Sequence, residues 1–317
     1  MLQWSKGRVG DSRRAPNVSR GPPCVLRLAR WLMRLLLTGA SGQVGMEMTR
    51  ALKQHRIFSD VVATSRAELD FTRREEVFHA VANFGPEVIV HLGAMTAVDR
   101  CEDEPDAAYL ANALSVRHIK QAARLVDARV VYMSTDYVFD GLGSRPYREW
   151  DAKRPLSVYG KSKFAGEMEL DPTDLVLRTS WVMGRYGNNI LKTILGAAKR
   201  SSEMRFVDDQ VGSPTVVSDL VEATLALLLE DQSGVYHLSN QGSLSWYELA
   251  RFVYELVGAD PALIAAMDSA ELALTRKAPR PAYSVLDNCA LRLQGYPPLA
   301  HYSESLSRLA LELWSEM

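Results

Sequence analysis

Two residues one helical turn apart carry the first suggestion of chemistry. The stretch VYGKSK sets Tyr159 four residues before Lys163, and on a helix both then lie on one face. An ammonium near a phenol favours the phenolate and lowers its pKa from about 10. Such a tyrosine can protonate a carbonyl oxygen as hydride reaches the carbon. The spacing alone is common on solvated helix faces, so its meaning rests on its surroundings. Upstream, MSTDYVFDG brings Ser134 and Thr135 directly after an apolar stretch. At the carboxyl end of a strand, these hydroxyls can hydrogen-bond a substrate oxygen and stabilise charge developing on it.

A second group of residues suits a dinucleotide. TGASGQVG places Gly39, Gly42 and Gly45, with Ser41, Gln43 and Val44 between them, where a strand turns into a helix. Glycines let backbone approach a pyrophosphate, and the helix N-terminus offers free N–H groups and a positive dipole end. After the second strand no acid stands at the strand end to hold a ribose diol. Ser65 and Arg66 stand there instead, a pair that suits a 2′-phosphate and favours NADPH over NADH; the alternative for Arg66 is a solvated surface charge. Asp70, with Phe71, is either an adenine-side contact or a cap of the next helix in competition with Thr72. In HLGAMTAVD, Gly93 and Ala94 are small enough for a nicotinamide ribose to pass, or are small for close packing alone.

The elements that must hold these residues follow from hydrophobic periodicity. From Met33, short apolar strands (RLLLTGA, DVVATS, EVIVHLGA, RVVYMST, LVLRTS) alternate with amphipathic helices, among them about 107–126 and the VYGKSKFAGEMEL stretch. That alternation predicts an α/β fold with a doubly wound, Rossmann-type parallel sheet and ligands at the strands' carboxyl ends. The predicted dinucleotide-binding domain runs over 33–180. Residues 181–317 are predicted to form a smaller substrate-binding lobe, parts of which return to the sheet. That lobe carries helices at 188–200, 217–230, 245–257 and 303–316, and strands near 204–207 and 234–238. Residues 1–32 hold seven Lys or Arg against the single acid Asp11; they are expected to be a disordered extension or an upstream start.

Composition excludes several classes. The 317 residues are 47% hydrophobic with a net charge of −1, which argues against nucleic acid or an anionic membrane as the main partner, since either usually demands a basic face. No apolar run is long enough to span a bilayer. Cys24, Cys101 and Cys289 are scattered, without ligand spacing, and a reducing cytoplasm is the default.

From about Arg34 onward the motif set TGASGQVG, TAVDRCEDEP, STDYVFDG, PLSVYGKSKFAGE, RTSWVMG, GNNILKTIL and DDQVGSPT resembles dTDP-4-dehydrorhamnose reductase. That family of extended short-chain dehydrogenases/reductases reduces a 4-keto sugar nucleotide to dTDP-L-rhamnose. The resemblance implies Tyr159 as general acid, Lys163 as its activator and a ligand of the cofactor ribose, and Thr135 on the keto oxygen. It also implies that Asp136, Tyr137, Thr96, Val98 and Trp181 shape the sugar pocket, with Thr96 also beside the cofactor. Asn189, the DDQVGSPT loop and Arg280 are implied near the nucleotide. An indole suits the C–H face of a deoxysugar; otherwise Trp181 is a core aromatic. His91, Leu92 and Met95 depart from the smaller or more polar residues usual in the family. Implied partners are a dTDP-sugar and a homodimer; some members pair around magnesium held by glutamates, for which Glu47 is available, and the metal stays open. Two alternatives remain at this point: a regulatory subunit like the beta subunit of methionine adenosyltransferase, and a nucleotide-sugar epimerase that keeps its cofactor through turnover.

Overall fold

Strand β1 (Met33–Thr38) reads MRLLLT without alternation because both of its faces are covered. Leu35 and Leu37 face helices α1 (Gln43–Leu52) and α8 (Val217–Leu229), meeting Met48, Leu52, Leu220 and Leu225. Leu36 faces the other way, toward Val77 and Val81 of α2 (Arg74–Phe84) and Ile119 of α5 (Ser115–Leu125). The computed structural model describes residues 33–55, 57–273 and 276–317; the expectation for residues 1–32 lies outside the described residues.

Around β1 a six-stranded parallel sheet forms with β2 (Phe58–Thr64), β3 (Val88–His91), β4 (Arg129–Thr135), β5 (Leu175–Thr179) and β6 (Gly234–His237). The order is β2-β1-β3-β4-β5-β6, every pair parallel. The winding reverses between β1 and β3, and in such sheets ligands bind in the crevice beyond that switch point. The chain returns to the sheet at β6, which pairs with β5. Between them, α7 (Ile190–Lys199) packs on α9 (Trp246–Leu256) and on the last helix, Tyr302–Glu316. They share a separate core of Leu191, Ile194, Leu249, Val253, Leu306 and Leu313. The described residues from Met33 to Met317 belong to one compact unit.

Between β3 and β4 the structure departs from the single predicted helix. After α3 (Val98–Asp103) and α4 (Pro105–Tyr109), one π turn covers Leu110–Leu114 before α5 begins. Its Asn112 is fully buried. The carboxamide accepts from Met95 N at 2.8 Å and donates to Met95 O at 3.1 Å and Ser162 Oγ at 3.0 Å. The π turn thus ties the loop after β3 to helix α6 (Val158–Glu167); such turns recur at functional sites.

Candidate active site

The glycine loop crosses the switch point. Gly39 has φ +77, and a Cβ there would lie 2.6 Å from Gly93 N; one at Gly45 would lie 2.2 Å from Gly39 O. Both glycines are forced by backbone crowding. Gly42 is different: its Cβ would meet only Gly39 O, at 3.4 Å. It also starts α1 with no side-chain cap, leaving the first N–H groups of the helix free to receive an anion.

Two adjoining cavities open over this loop. One, of about 350 Å³, is lined by Gly39, Ser41, Gly42, Arg66, Phe71, Gly93 and Ala94. The other, of about 420 Å³, continues past Gln43, Val44 and Gly45 to Thr96, Val98, Thr135 and Asp136. Tyr137, Tyr159, Lys163 and Trp181 complete its far end. Because Gly39, Gly42, Leu92 and Ala94 line both cavities, the two form one elongated cleft. Its glycine floor, uncapped helix end and cationic Arg66 fit a dinucleotide phosphate chain. Gly93 is small for a packing reason as well: a Cβ there would strike the Phe71 ring at 2.2 Å.

Helix α6 brings the tyrosine and lysine to the cleft. Ser157 caps it, accepting from Gly160 N at 3.2 Å. A Cβ on Gly160 would lie 2.2 Å from Tyr137 O, and one on Gly166 2.2 Å from Asn112 O, so two glycines let α6 press against backbone on both sides. That approach sets Tyr159 edge-on to Tyr137, with centroids 5.5 Å apart. Lys163 is buried; its Nζ donates to Met133 O at 2.7 Å and sits 4.1 Å from the centre of the Tyr132 ring. Thr135, at the end of β4, donates to Asp136 Oδ1 at 3.0 Å and accepts from Tyr137 N at 3.2 Å. The Ser134 hydroxyl is engaged elsewhere, donating to Glu167 Oε1 at 2.5 Å.

The electrostatics correct one expectation. Burial, the largest influence, holds the Tyr159 phenol well above its ordinary pKa; a hydrogen bond with Thr135 works against it, and Asp136 and Tyr137 add to it. The Lys163 ammonium is not among these leading influences. Burial brings Lys163 itself down to about 7, with Glu167 pulling the other way. Desolvation outweighs the pairwise attraction that the four-residue spacing suggested. Asp136 is likewise pushed up to about 6 by burial, against hydrogen bonds from Ser284 and Thr135.

Other predicted residues lie away from the cleft wall. Asn189 caps α7, accepting from Lys192 N at 3.3 Å, and donates to Gly184 O at 2.8 Å. Asp70 accepts from the N–H and hydroxyl of Thr72 at 3.0 and 2.6 Å; the N-cap position of α2 is Arg73, with no side-chain cap, so Asp70 is not its N-cap. Arg280 donates to Asp99 Oδ2 at 2.7 Å and, with Gln210 of the DDQVGSPT loop, lines a neighbouring cavity of about 440 Å³ beside Arg276 and Lys277. His91 is turned into the core, 2.6 Å from Thr38 Oγ1. The Glu47 carboxylate accepts from Arg50 Nε at 3.0 Å, and among the described residues no group of three or more His, Cys, Asp or Glu could hold a metal.

Sequence reasoning missed two residues. Trp246 lines the cleft and stacks on Trp181 with centroids 3.5 Å apart; Trp181 adopts φ +45, a conformation side chains disfavour. Asn112, which anchors the β3 loop, carried no motif signal at all.

The profile of the family described as RmlD substrate binding domain matches residues 33–314. The chain is 40% identical to dTDP-4-dehydrorhamnose reductase of Streptomyces griseus over 283 residues, covering 86% of this chain and 92% of that protein. It is 39% identical to the spore coat polysaccharide biosynthesis protein SpsK of Bacillus subtilis over 278 residues, covering 87% and 96%. Among solved structures it is similar to dTDP-4-dehydrorhamnose reductase from Bacillus anthracis in complex with NADP. That match has a TM-score of 0.83 and 36% identity, covering 89% of this chain and 99% of that one.

Proposed function

Because the chain belongs to the dTDP-4-dehydrorhamnose reductase family, we propose that it reduces the 4-keto group of a dTDP-6-deoxyhexulose with NADPH, giving dTDP-L-rhamnose or a related deoxysugar nucleotide. The observation that carries the reading is the single cleft joining the glycine loop to Tyr159, Lys163 and Thr135. Relatives named as reductases, one solved with NADP, support it over the regulatory-subunit and epimerase alternatives.

In this reading Gly39, Ser41, Gly42 and the first N–H groups of α1 hold the pyrophosphate, and Arg66 meets the adenosine end. Bound NADPH supplies the hydride. Tyr159 gives its phenolic proton to the oxygen that becomes the hydroxyl. Its raised pKa keeps that proton in place until needed, and a sugar alkoxide is basic enough to take it. Thr135 orients the oxygen, and charged Lys163 stabilises the phenolate that remains. The stacked Trp181 and Trp246 offer an apolar wall to the deoxysugar. The neighbouring cavity with Arg276, Lys277 and Arg280 would receive the nucleotide's phosphates.

The buried, unpaired Cys101 and Cys289 support a reducing cytoplasm as its compartment. Among the described residues no helix is long and apolar enough to cross a membrane. The test is loss of NADPH absorbance with dTDP-4-dehydrorhamnose generated in situ. Oxidation that depends on the keto sugar is the expected result; no oxidation with that sugar would refute the reading.

A further inference from the structure

Opposite the reacting end, the cleft closes on the turn that follows β2. Ala40 N donates to Thr64 O at 3.0 Å, which pins the end of β2 beside the glycine loop. Ser65 and Arg66 therefore come next to the cleft, and Arg66 lines it together with Gly39, Ser41 and Gly42. From sequence, these two residues offer a 2′-phosphate a hydroxyl, a backbone N–H and a guanidinium.

The structure shows the two Ser65 donors already claimed. The chain folds back at once, with Glu68 N and Leu69 N both donating to Ser65 O, at 3.2 and 3.0 Å. The fold-back lays the Glu68 carboxylate over Ser65, where Oε2 accepts from Ser65 N and from Ser65 Oγ, each at 2.7 Å. Arg66 is tied more loosely, its Nε 3.8 Å from Asp70 Oδ2 with the side chain three-quarters exposed. The same two Ser65 hydrogen bonds keep Glu68 below the usual carboxylate range, so it stays anionic at neutral pH. An anion is thus already seated on both Ser65 donors, one residue before the cleft-lining Arg66.

Resting on the reductase reading, we propose that Glu68 is a specificity residue for the cofactor. Its carboxylate competes with the 2′-phosphate for the two Ser65 donors and so narrows the preference for NADPH over NADH. A 2′-phosphate must displace Glu68 or bind against its charge, relying on Arg66. A ribose 2′-hydroxyl carries no charge and can donate to a carboxylate, so NADH escapes the penalty. The plain alternative is that Glu68 only closes the turn, in the manner of a helix-capping glutamate; it would then act on both cofactors alike.

The test measures binding to the intact protein without any sugar: NADPH and NADH titrated by fluorescence into the wild type and the Glu68→Gln and Glu68→Ala variants. Removing one exposed charge near the phosphate should tighten NADPH by about fivefold at low ionic strength, with NADH held within about twofold. The gain should shrink at high salt. In a Ser65→Ala background, Glu68→Gln should bring a smaller gain, because the contested donor hydroxyl is gone. Equal shifts for both cofactors, or no gain for NADPH, would overturn the proposal. Wild-type protein that bound neither cofactor would overturn the reductase reading itself, and this proposal with it.

Discussion

At Tyr159 and Lys163 the decisive quantity is desolvation. The tyrosine keeps its proton because burial disfavours the phenolate, and the lysine titrates near neutrality because burial disfavours the ammonium. If charged Lys163 stabilises the phenolate left by proton transfer, activity must fall as pH rises past the point where Lys163 loses its charge. The pH profile of kcat/KM for NADPH, which reports the free enzyme, should thus show an alkaline limb centred near 7. Lys163→Arg, charged throughout, should lose that limb at a reduced overall rate. A limb at the same pH in both proteins would assign it to another group.

The helices owe their placement to glycines with distinct duties, and these duties can be separated. At Gly160 an added methyl meets the Tyr137 backbone carbonyl at 2.2 Å, which α6 can relieve only by moving. Gly160→Ala should cost about 1–3 kcal/mol of stability, seen as a lower Tm, and should reduce turnover because Tyr159 moves with the helix. At Gly42 the added methyl has space in the protein but intrudes on the cleft. Gly42→Ala should therefore leave Tm nearly unchanged while weakening NADPH binding in a direct titration. A variant pair with the opposite pattern would contradict this division.

The same contrast explains what the sequence could reveal about elements and site. The apolar strands, the glycine loop and the lobe helices were legible because each is written in a local period or turn. Strand β6 was legible as a strand too, its place beside β5 less so. The π turn at Leu110–Leu114 was not, since its residues read as ordinary helix and only the pull of Asn112 on Met95 reveals it. Trp246 was hidden because its partner, Trp181, is 65 positions away and meets it only in the folded chain. Asn189 is expected beside the nucleotide and Asp70 either beside the adenine or as a helix cap; in the fold each side chain also bonds backbone groups nearby, partners that lie outside any motif. The phenol's pKa went the wrong way because helical spacing shows the neighbouring charge but not the burial.

Over the whole molecule, acid should act through two core histidines. His91 and His237 are fully buried, and burial brings each down to about 3, with Lys163 adding at His91 and Arg178 at His237. Between pH 6.5 and 3 the unfolded chain binds protons at these positions that the folded chain does not, so stability falls as pH falls through that window. Asp136 contributes with the opposite sign. Raised to about 6 when folded, it holds a proton the unfolded chain has released, and its burial penalty is relieved as pH drops toward 3.8. Glu149, also raised by burial, acts on the same side as Asp136; the two histidine shifts are the larger, so Tm should decline below pH 6.5, and His91→Gln should flatten the decline. A Tm that is level or rising down to pH 4 would show that these imidazoles take up protons without unfolding.

The account stands most directly on single-turnover reduction of dTDP-4-dehydrorhamnose by the NADPH-loaded protein, wild type against Tyr159→Phe. With cofactor affinity measured beforehand and unchanged, the variant should be slower by about two to four orders of magnitude, the loss expected for a positioned general acid. A Tyr159→Phe protein that reduces the sugar at nearly the wild-type rate would place the proton source elsewhere in the cleft and contradict the mechanism.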